Sequence, residues 1–521
     1  MEMECCSYML PLVASCFFFL CSFFHALVAT RRRSGDVCCG PRHAPRSHPV
    51  LGCLVEFYRN RRRLLDWYTG LLAASPSQTV VVERLGARRT VVTANPANVE
   101  HLLKANFGNY PKGKPFTEVL GDLLGGGIFN ADGEAWRAQR KLVSHEFTAR
   151  ALREKVGAAL EAEARARLVP ALDAAAAGGG EVDVQELLRQ FAFNVICRVS
   201  LGAEPRDEAA LPLSRLAAAF DAAAAIIARR GAAPVAAVWK AKRALGVGSE
   251  RRLREEVEVI HDAITELVHR GRRRTHPGRR SRDDLVSRMA AAGYGDEAIR
   301  DMVISFVMAG RDTTSSALTW FFWLMTRHRD VEGEVLGEIE SASRACSVGV
   351  DLDGSRRMRV LHAALCETMR LYPPVAWDSK HAAGADVLPD GTRVERGDRV
   401  TYFPYGMGRM EAIWGADAGE FRPRRWLAPP QDDEGVSPFK FPVFQGGPRT
   451  CLGKEMAFLQ MKFVASAVLR RFELRAVDEG RSPVFVPLLT AHMAGGLKVT
   501  VRRRRRQQEG TYQSTVACRT S

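Results

Sequence analysis

The stretch Phe441–Gly453, which reads Phe-Pro-Val-Phe-Gln-Gly-Gly-Pro-Arg-Thr-Cys-Leu-Gly, constrains this chain more than any other. Gly446 and Gly447 admit a tight turn that residues with a Cβ resist. Pro448 stiffens that turn, and Gly453 lets backbone pass close to a flat object. Apolar residues recur at helical spacing from Lys454 to Arg471, which puts Cys451 just before a helix N-terminus. Backbone N–H groups and the positive end of the helix dipole are expected to lower a thiol's pKa there, and Arg449 adds a fixed cation. A lone cysteine in a large chain is ordinarily a buried free thiol. The spacing of Phe444, Gly447, Arg449, Cys451 and Gly453 around it is what sets this one apart.

The rest of the chain has to supply a body for that loop. With 521 residues, 46% of them hydrophobic, it can bury a large core. The net charge of +16 suits a membrane surface, an acidic protein partner or nucleic acid. Seven of the 12 cysteines precede residue 54 and the others are scattered, so there is no small disulfide framework and a reducing compartment is expected. Residues Cys5 to Ala29 are mostly apolar, acids (Glu2, Glu4) precede them and Arg31–Arg33 follow. That order predicts an uncleaved membrane anchor over residues 1–30 with the body in the cytosol. Pro41, Pro45 and Pro49 mark a stiff basic linker over 31–50, and the soluble body runs over 51–501. Residues 502–521, beginning Arg502–Arg506, are expected to be a solvated, frayed tail.

Within the body, Val80–Val82 and Thr90–Val92 predict two strands around Gly86, and Pro96 starts a short helix. Tyr110 to Asn130 is Gly-rich and reads as a loop over a pocket. Trp136 and Arg140 share a helix face, a pattern equally suited to an amphipathic surface helix. Residues 151–270 read as Ala-rich helices broken at Gly178–Gly180, with long helices over Ala217–Arg229 and Glu250–Arg270. Val238–Arg243 connects those two, and Arg272–Arg282 is a basic loop. Asp301–Arg327 is the strongest apolar helix, yet its middle, Ala309-Gly310-Arg311-Asp312-Thr313-Thr314, carries poor helix formers. Thr can bend a helix by bonding back to a carbonyl, and a local rule broken inside a good helix points to function. Glu367 and Arg370 sit three apart on a helix ended by Pro373-Pro374. Short strands are expected over Pro374–Trp377, Thr392–Val394 and Asp398–Phe403.

The set Phe444-x-x-Gly447-x-Arg449-x-Cys451-x-Gly453 resembles the haem-thiolate loop of cytochrome P450 enzymes, and the other motifs follow in the order that family requires. The resemblance covers about Leu51 to Val501. It implies a mainly α fold with small β-sheets on an N-terminal anchor helix, and a haem b whose iron is ligated by the Cys451 sulfur, with Phe444, Gly447 and Arg449 in the same binding loop. A thiolate ligand favours O–O cleavage. It further implies that Trp136 and Arg140 bind a haem propionate, with Lys380 or its neighbour His381 on the second. In a strand those two point to opposite faces, so only one reaches the haem. The run Ala309–Thr314 matches the oxygen-activation motif. Gly310 would leave room for O2, Thr313 would hydrogen-bond it, and Asp312 would relay protons. Glu367, Arg370 and Arg425 would form a buried structural triad. Arg424 departs from the family, which usually has Glu there; so does Gly446, where the branch more often has Ala.

Runs such as Phe129-Asn130-Ala131-Asp132-Gly133 and Gly453-Lys454-Glu455-Met456 look like the plant fatty-acid ω-hydroxylase clan. Trp377-Asp378-Ser379-Lys380-His381 and Leu489–Gly496 are similar to the branch that includes jasmonoyl-isoleucine oxidases. The implied activity is hydroxylation, with or without further oxidation, of a fatty acid or jasmonoyl–amino acid conjugate. The implied co-substrates are O2 and NADPH, with electrons from a separate NADPH–cytochrome P450 reductase at the endoplasmic reticulum membrane, since no Gly-rich nucleotide-binding βαβ unit occurs here. An isomerase of the same fold acting on fatty-acid hydroperoxides is the first alternative, and Thr313 argues against it. A membrane-tethered basic binding protein is the second. No interleaved aromatic and basic stripe supports nucleic acid.

Overall fold

The computed structural model describes residues 45, 47–201, 213–233, 235–273, 285–342, 350–427, 436–480 and 482–504. The expected anchor over 1–30, most of the 31–50 linker and most of the basic loop after Arg272 lie outside them. Among the described residues no helix is long and apolar enough to cross a membrane.

The helices that build the site are α1 (Leu64–Ala74), α2 (Gly113–Leu124), α3 (Gly133–Val143), α4 (Val184–Leu201), α5 (Leu213–Gly231), α6 (Ala236–Leu245), α7 (Ser249–Arg273), α8 (Asp296–Arg327), α9 (Arg359–Leu371) and α10 (Lys454–Leu469). The strands are short: β1 (Thr79–Val82), β2 (Thr90–Thr93), β3 (Glu181–Asp183), β4 (Asp378–His381), β5 (Asp386–Val387), β6 (Arg393–Val394), β7 (Arg399–Tyr402), β8 (Phe472–Ala476), β9 (Phe485–Val486), β10 (His492–Met493) and β11 (Lys498–Arg503). The expected mainly α fold with small sheets is what forms.

α8 is apolar on most sides because it runs through the core. Trp320, Phe321 and Phe322 are all fully buried on it. Its neighbour is α4, and Gly310 is where the two come close. A Cβ on Gly310 would lie 2.8 Å from the Ile196 side chain of α4. The missing side chain is therefore accounted for by helix packing, although the Gly310 backbone also lines the central cavity.

A second core belongs to the β-rich part, where α1 packs on the sheet β1-β2-β7-β4 through Tyr68 and Phe403. β2 and β7 are parallel with Thr90 opposite Arg399, and β4 and β7 are antiparallel with His381 opposite Arg399. This register puts Ser379, His381, Arg399 and Thr401 on one face and Asp378, Lys380 and Tyr402 on the other. The Cys451 loop spans both cores: Phe439 belongs to the β-rich one, while Val443, Phe444 and Leu452 pack against the helical one.

Several expectations are corrected here. Tyr110–Asn130 is not a loop, because α2 fills its middle; Leu120, Leu123 and Leu124 recur at helical spacing and are buried. The Val238 region is the helix α6 rather than a plain connection. Pro374–Trp377 forms no strand; pairing begins one residue later, at Asp378. The tail is not frayed at Arg502, since β11 continues through Arg503 and Arg504 pairs with Glu332 and donates to the carbonyls of Leu469 and Phe472.

Candidate active site

Two 3₁₀ turns, Pro442–Phe444 and Gly447–Arg449, deliver Cys451 to the start of α10. Gly447 has φ +60°, and a Cβ there would overlap the Leu103 carbonyl, so this position requires glycine. Gln445 reaches φ 63° with a side chain, a conformation that costs energy. Its amide is held by Tyr402, whose hydroxyl donates to Oε1, and by Asp378, which accepts from Nε2 at 3.2 Å. Cys451 N–H donates to the Phe444 carbonyl at 2.8 Å, and the Phe444 ring packs on Phe458.

The exposed Cys451 side chain lines the cavity. Burial pushes its thiol up, against the pull of the Gly453 N–H, Arg140 and Lys454. The expectation that the helix start and a nearby cation would lower this pKa is thus corrected in direction, because burial opposes them.

Beside the sulfur, α3 brings Trp136 and Arg140 to the same cavity wall as Arg449. The Arg449 guanidinium lies 4.5 Å from the Trp136 ring centroid, and Arg140 lies 5.7 Å from it. Arg140 donates to the Thr450 carbonyl at 2.6 Å and has no carboxylate partner among the described residues. Arg449 is anchored by Asp132 at 2.6 Å and the Ala131 carbonyl at 2.9 Å. An indole N–H and two guanidiniums converge on one wall, a donor set suited to carboxylates.

A second cationic group sits on the sheet face turned toward the loop. Asp378 accepts from Lys112 at 2.7 Å and Lys380 at 2.9 Å, and the Tyr402 hydroxyl oxygen lies 3.0 Å away. The two ammonium groups hold Asp378 well below the usual carboxylate range, and burial pulls Lys380 down. His381 points to the opposite face, as strand alternation predicts. Its Nδ1 lies 2.7 Å from the Lys112 carbonyl, and burial lowers its pKa to about 4. Lys380 therefore shares a carboxylate with the Cys loop, and His381 does not. Lys112 was not foreseen: a lysine between Pro111 and Gly113 belongs to no periodic pattern, and only the fold brings it beside Asp378.

Across the cavity, α8 presents Ala309, Gly310, Thr313 and Thr314. The Thr313 hydroxyl donates back to the Ala309 carbonyl at 2.6 Å. Asp312 faces away from the cavity toward Arg311 at 3.6 Å; Arg311 in turn lies 2.8 Å from Asp221 of α5. Burial raises the Asp312 pKa over the pull of Arg311 and Arg189, and its Oδ1 has no hydrogen-bond partner among the described residues.

The structural triad forms. Glu367, fully buried, lies 2.8 Å from Arg370 and 2.9 Å from Arg425. It also accepts from Trp426 Nε1 and the Arg422 N–H, each at 2.8 Å. The departing residue Arg424 is exposed and pairs with Glu334 at 2.7 Å.

The cavity that joins these groups measures about 1310 Å³. That exceeds the ~300–1,000 Å³ typical of one small-ligand pocket, leaving room for a flat prosthetic group and a substrate together. A haem fits the residues present: a sulfur at a helix start, donors for two carboxylates and an apolar wall. Its holders would be Cys451, Trp136, Arg140, Arg449 and the Lys112–Lys380 pair.

Comparison with known proteins agrees with this chemistry. A family model described as Cytochrome P450 matches residues 42–493. The chain is 56% identical over 469 residues to cytochrome P450 94B1 of Arabidopsis thaliana, covering 88% of this chain and 91% of that one. It is 53% identical over 470 residues to cytochrome P450 94B3 of the same plant (89% and 92% covered), and 42% identical over 471 residues to cytochrome P450 94A2 of Vicia sativa (88% and 91% covered). Its fold matches the crystal structure of the cytochrome P450DA heme domain with TM-score 0.74 at 20% identity, over 89% of this chain and 97% of that one.

Proposed function

The chain belongs to the cytochrome P450 family, and from that premise we propose that it hydroxylates the apolar end of a fatty acid or a jasmonoyl–amino acid conjugate. As a P450 monooxygenase it uses haem-thiolate iron, O2 and NADPH electrons delivered by a reductase. When bound, the haem supplies the activation of O2 and insertion of one oxygen atom into a C–H bond. Cys451 offers the sulfur that holds it, and Trp136, Arg140, Arg449 and Lys380 offer donors to its carboxylates. The Thr313 hydroxyl, released from the Ala309 carbonyl, can donate into the cavity, and Asp312 can replace the proton it gives up. Glu367, Arg370 and Arg425 keep the loop's support rigid.

The observation that carries the substrate class is the cavity itself. Its lining combines apolar residues, among them Phe116, Ile128, Phe147 and Leu489, with the exposed basic residues Arg61–Arg63 and Arg88. A long apolar body with an anionic end suits that combination. The partner we propose is NADPH–cytochrome P450 reductase, and the site of action is the endoplasmic reticulum membrane, held by the apolar run at Cys5–Ala29. Exposed Val55, Tyr58, Leu85, Val238 and Leu245 support contact with a lipid surface. Trp239 does not join them, because it is buried beneath Arg230.

The test is a carbon monoxide difference spectrum of the reduced protein, followed by turnover of jasmonoyl-isoleucine and of a long-chain fatty acid with reductase and NADPH. A haem-thiolate band with NADPH-dependent hydroxylated product is expected. Cys451→Ala should abolish both. Conversion of a fatty-acid hydroperoxide without reductase, and no hydroxylation, would refute the proposal.

A further inference from the structure

Arg311 is buried in the middle of α8 and has two carboxylates within ion-pair distance. Its Nη1 lies 2.8 Å from Asp221 Oδ1, on α5, and 3.6 Å from Asp312 Oδ1, on its own helix. The nearer acid is shared, because Arg189 of α4 donates from Nη2 to the same Asp221 oxygen. Three helices thus meet at one carboxylate. Asp312 stands beside them with its Oδ1 buried and without a hydrogen-bond partner among the described residues.

Two cations face two carboxylates here, yet both take Asp221, whose side chain is 38% exposed, and neither takes the Asp312 Oδ1. Helix geometry accounts for the choice. Adjacent residues on a helix do not face each other, so Arg311 reaches across to α5 in preference to its own neighbour. The charges that act on Asp312 are Arg311, Arg189 and Asp221. Glu186 and Cys197 of α4 and His492 of β10 act on the two arginines or on Asp221 instead. Asp221 therefore decides how much positive charge is left for Asp312.

We propose that Asp221 is a positioning residue for the proton supply: by holding Arg311 and Arg189 it keeps both guanidiniums from locking Asp312 into an ion pair, so that this carboxyl stays free to pass a proton toward Thr313. The inference rests on the role given to Asp312 above and adds the residue that makes that role available. The step moves a proton only. An O–H bond of Asp312 breaks as that of Thr313 is restored, and the carboxylate left behind takes a proton from water, with no change of oxidation state. Without Asp221, Asp312 becomes the nearest acid left to Arg311. An opposite charge that close favours the ionised carboxyl by about one to three pH units, and a charge-assisted pair with a guanidinium holds it there.

The experiment uses the haem-loaded full chain. The pH at which Asp312 ionises is read from the infrared absorption of its protonated carboxyl, identified by its loss in Asp312→Asn. Coupling, as product per NADPH oxidised, is read with reductase and dodecanoic acid or jasmonoyl-isoleucine over the same pH range. Asp221→Asn should lower the infrared pH by about one to three units and bring the loss of coupling at high pH down with it. Arg311→Gln should shift both the other way, and the double variant should return toward wild type. Glu186→Gln removes the same charge 3.5 Å from Arg189 and has no ion pair with Arg311 among the described residues, so it should leave both nearly unchanged. An unmoved infrared pH in Asp221→Asn, or an equal shift in Glu186→Gln, would overturn the proposal. So would an infrared shift that leaves the pH dependence of coupling in place. Should Asp221→Asn not fold, Arg311→Gln decides, and the absence of an upward shift there overturns the proposal. If neither acid is hydroxylated while the infrared shifts follow, the placement of charge by Asp221 stands and the substrate class proposed above falls.

Discussion

Replacing Glu367 with Gln changes one atom and should cripple the fold. The carboxylate is fully buried and accepts from five donors: Arg370 Nε and Nη2, Arg425 Nε, Trp426 Nε1 and the Arg422 N–H. A glutamine presents an NH2 where one oxygen stood, so some of these donors face another donor. Arg370 is 1% exposed and keeps only the carbonyls of Gly408, Ala418 and Glu420. Removing one partner of a buried pair costs about 3–5 kcal/mol. Against a typical total of about 5–15 kcal/mol, that is a large share of the stability. The assay is the urea concentration at which the reduced, carbon monoxide-bound protein loses half its haem-thiolate band. Glu367→Gln should fall well below wild type or fail to load haem. Arg424→Ala, whose side chain is 80% exposed in its pair with Glu334, is the matched control and should stay near wild type. Equal midpoints for the two variants would refute the buried-triad reasoning.

Thr313→Ala should retain haem and substrate binding but lose product rate by roughly a hundredfold or more. Measured as product per NADPH oxidised, coupling should collapse into hydrogen peroxide; unchanged coupling would leave Thr313 as an ordinary helix residue. His362, packed against the Phe458 ring and near Lys462 and Lys454, has its pKa lowered to about 4, chiefly by burial. Its unfolded form takes a proton near pH 6.5, so between about pH 6.5 and 4 the unfolded chain binds more protons and stability should fall with pH. His362→Gln should flatten that part of the curve of unfolding midpoint against pH, and an unchanged slope would assign it to other groups. Deleting residues 1–33 should weaken sedimentation with washed membranes while haem stays bound. Residual attachment should then drop on Val238→Ser, but attachment equal to the full chain would remove the anchor from the account.

Local chemistry left a plain record in this sequence. The glycines and proline of the Cys451 loop, the poor helix formers at Ala309–Thr314 and the i,i+3 pair Glu367–Arg370 each break a local rule in a small window. A reader of the sequence can therefore find them. The β-branched runs Val80–Val82 and Thr90–Val92, and helical spacing in α8 and α10, are likewise short-range properties and gave the right elements. α2 was missed because its glycine-rich flanks, at Gly113 and Gly125–Gly127, read as loop, and only burial of its leucines against the helical core makes it a helix.

What tertiary structure alone decided was which charges meet. Lys112 lies far from Asp378 and Lys380 in the chain and meets them because the segment before α2 lies against β4, where the His381 N–H donates to the Pro111 carbonyl. Arg84 and Arg399 are indistinguishable by sequence from Arg89, yet only Arg89 finds Asp398 and Glu83. Cys451 makes the same point about energy. Its position before a helix predicted a lowered pKa, a contribution that sequence can locate. Burial around the thiol pushes it the other way, because desolvation depends on every atom packed around a group and not on the few bonded next to it.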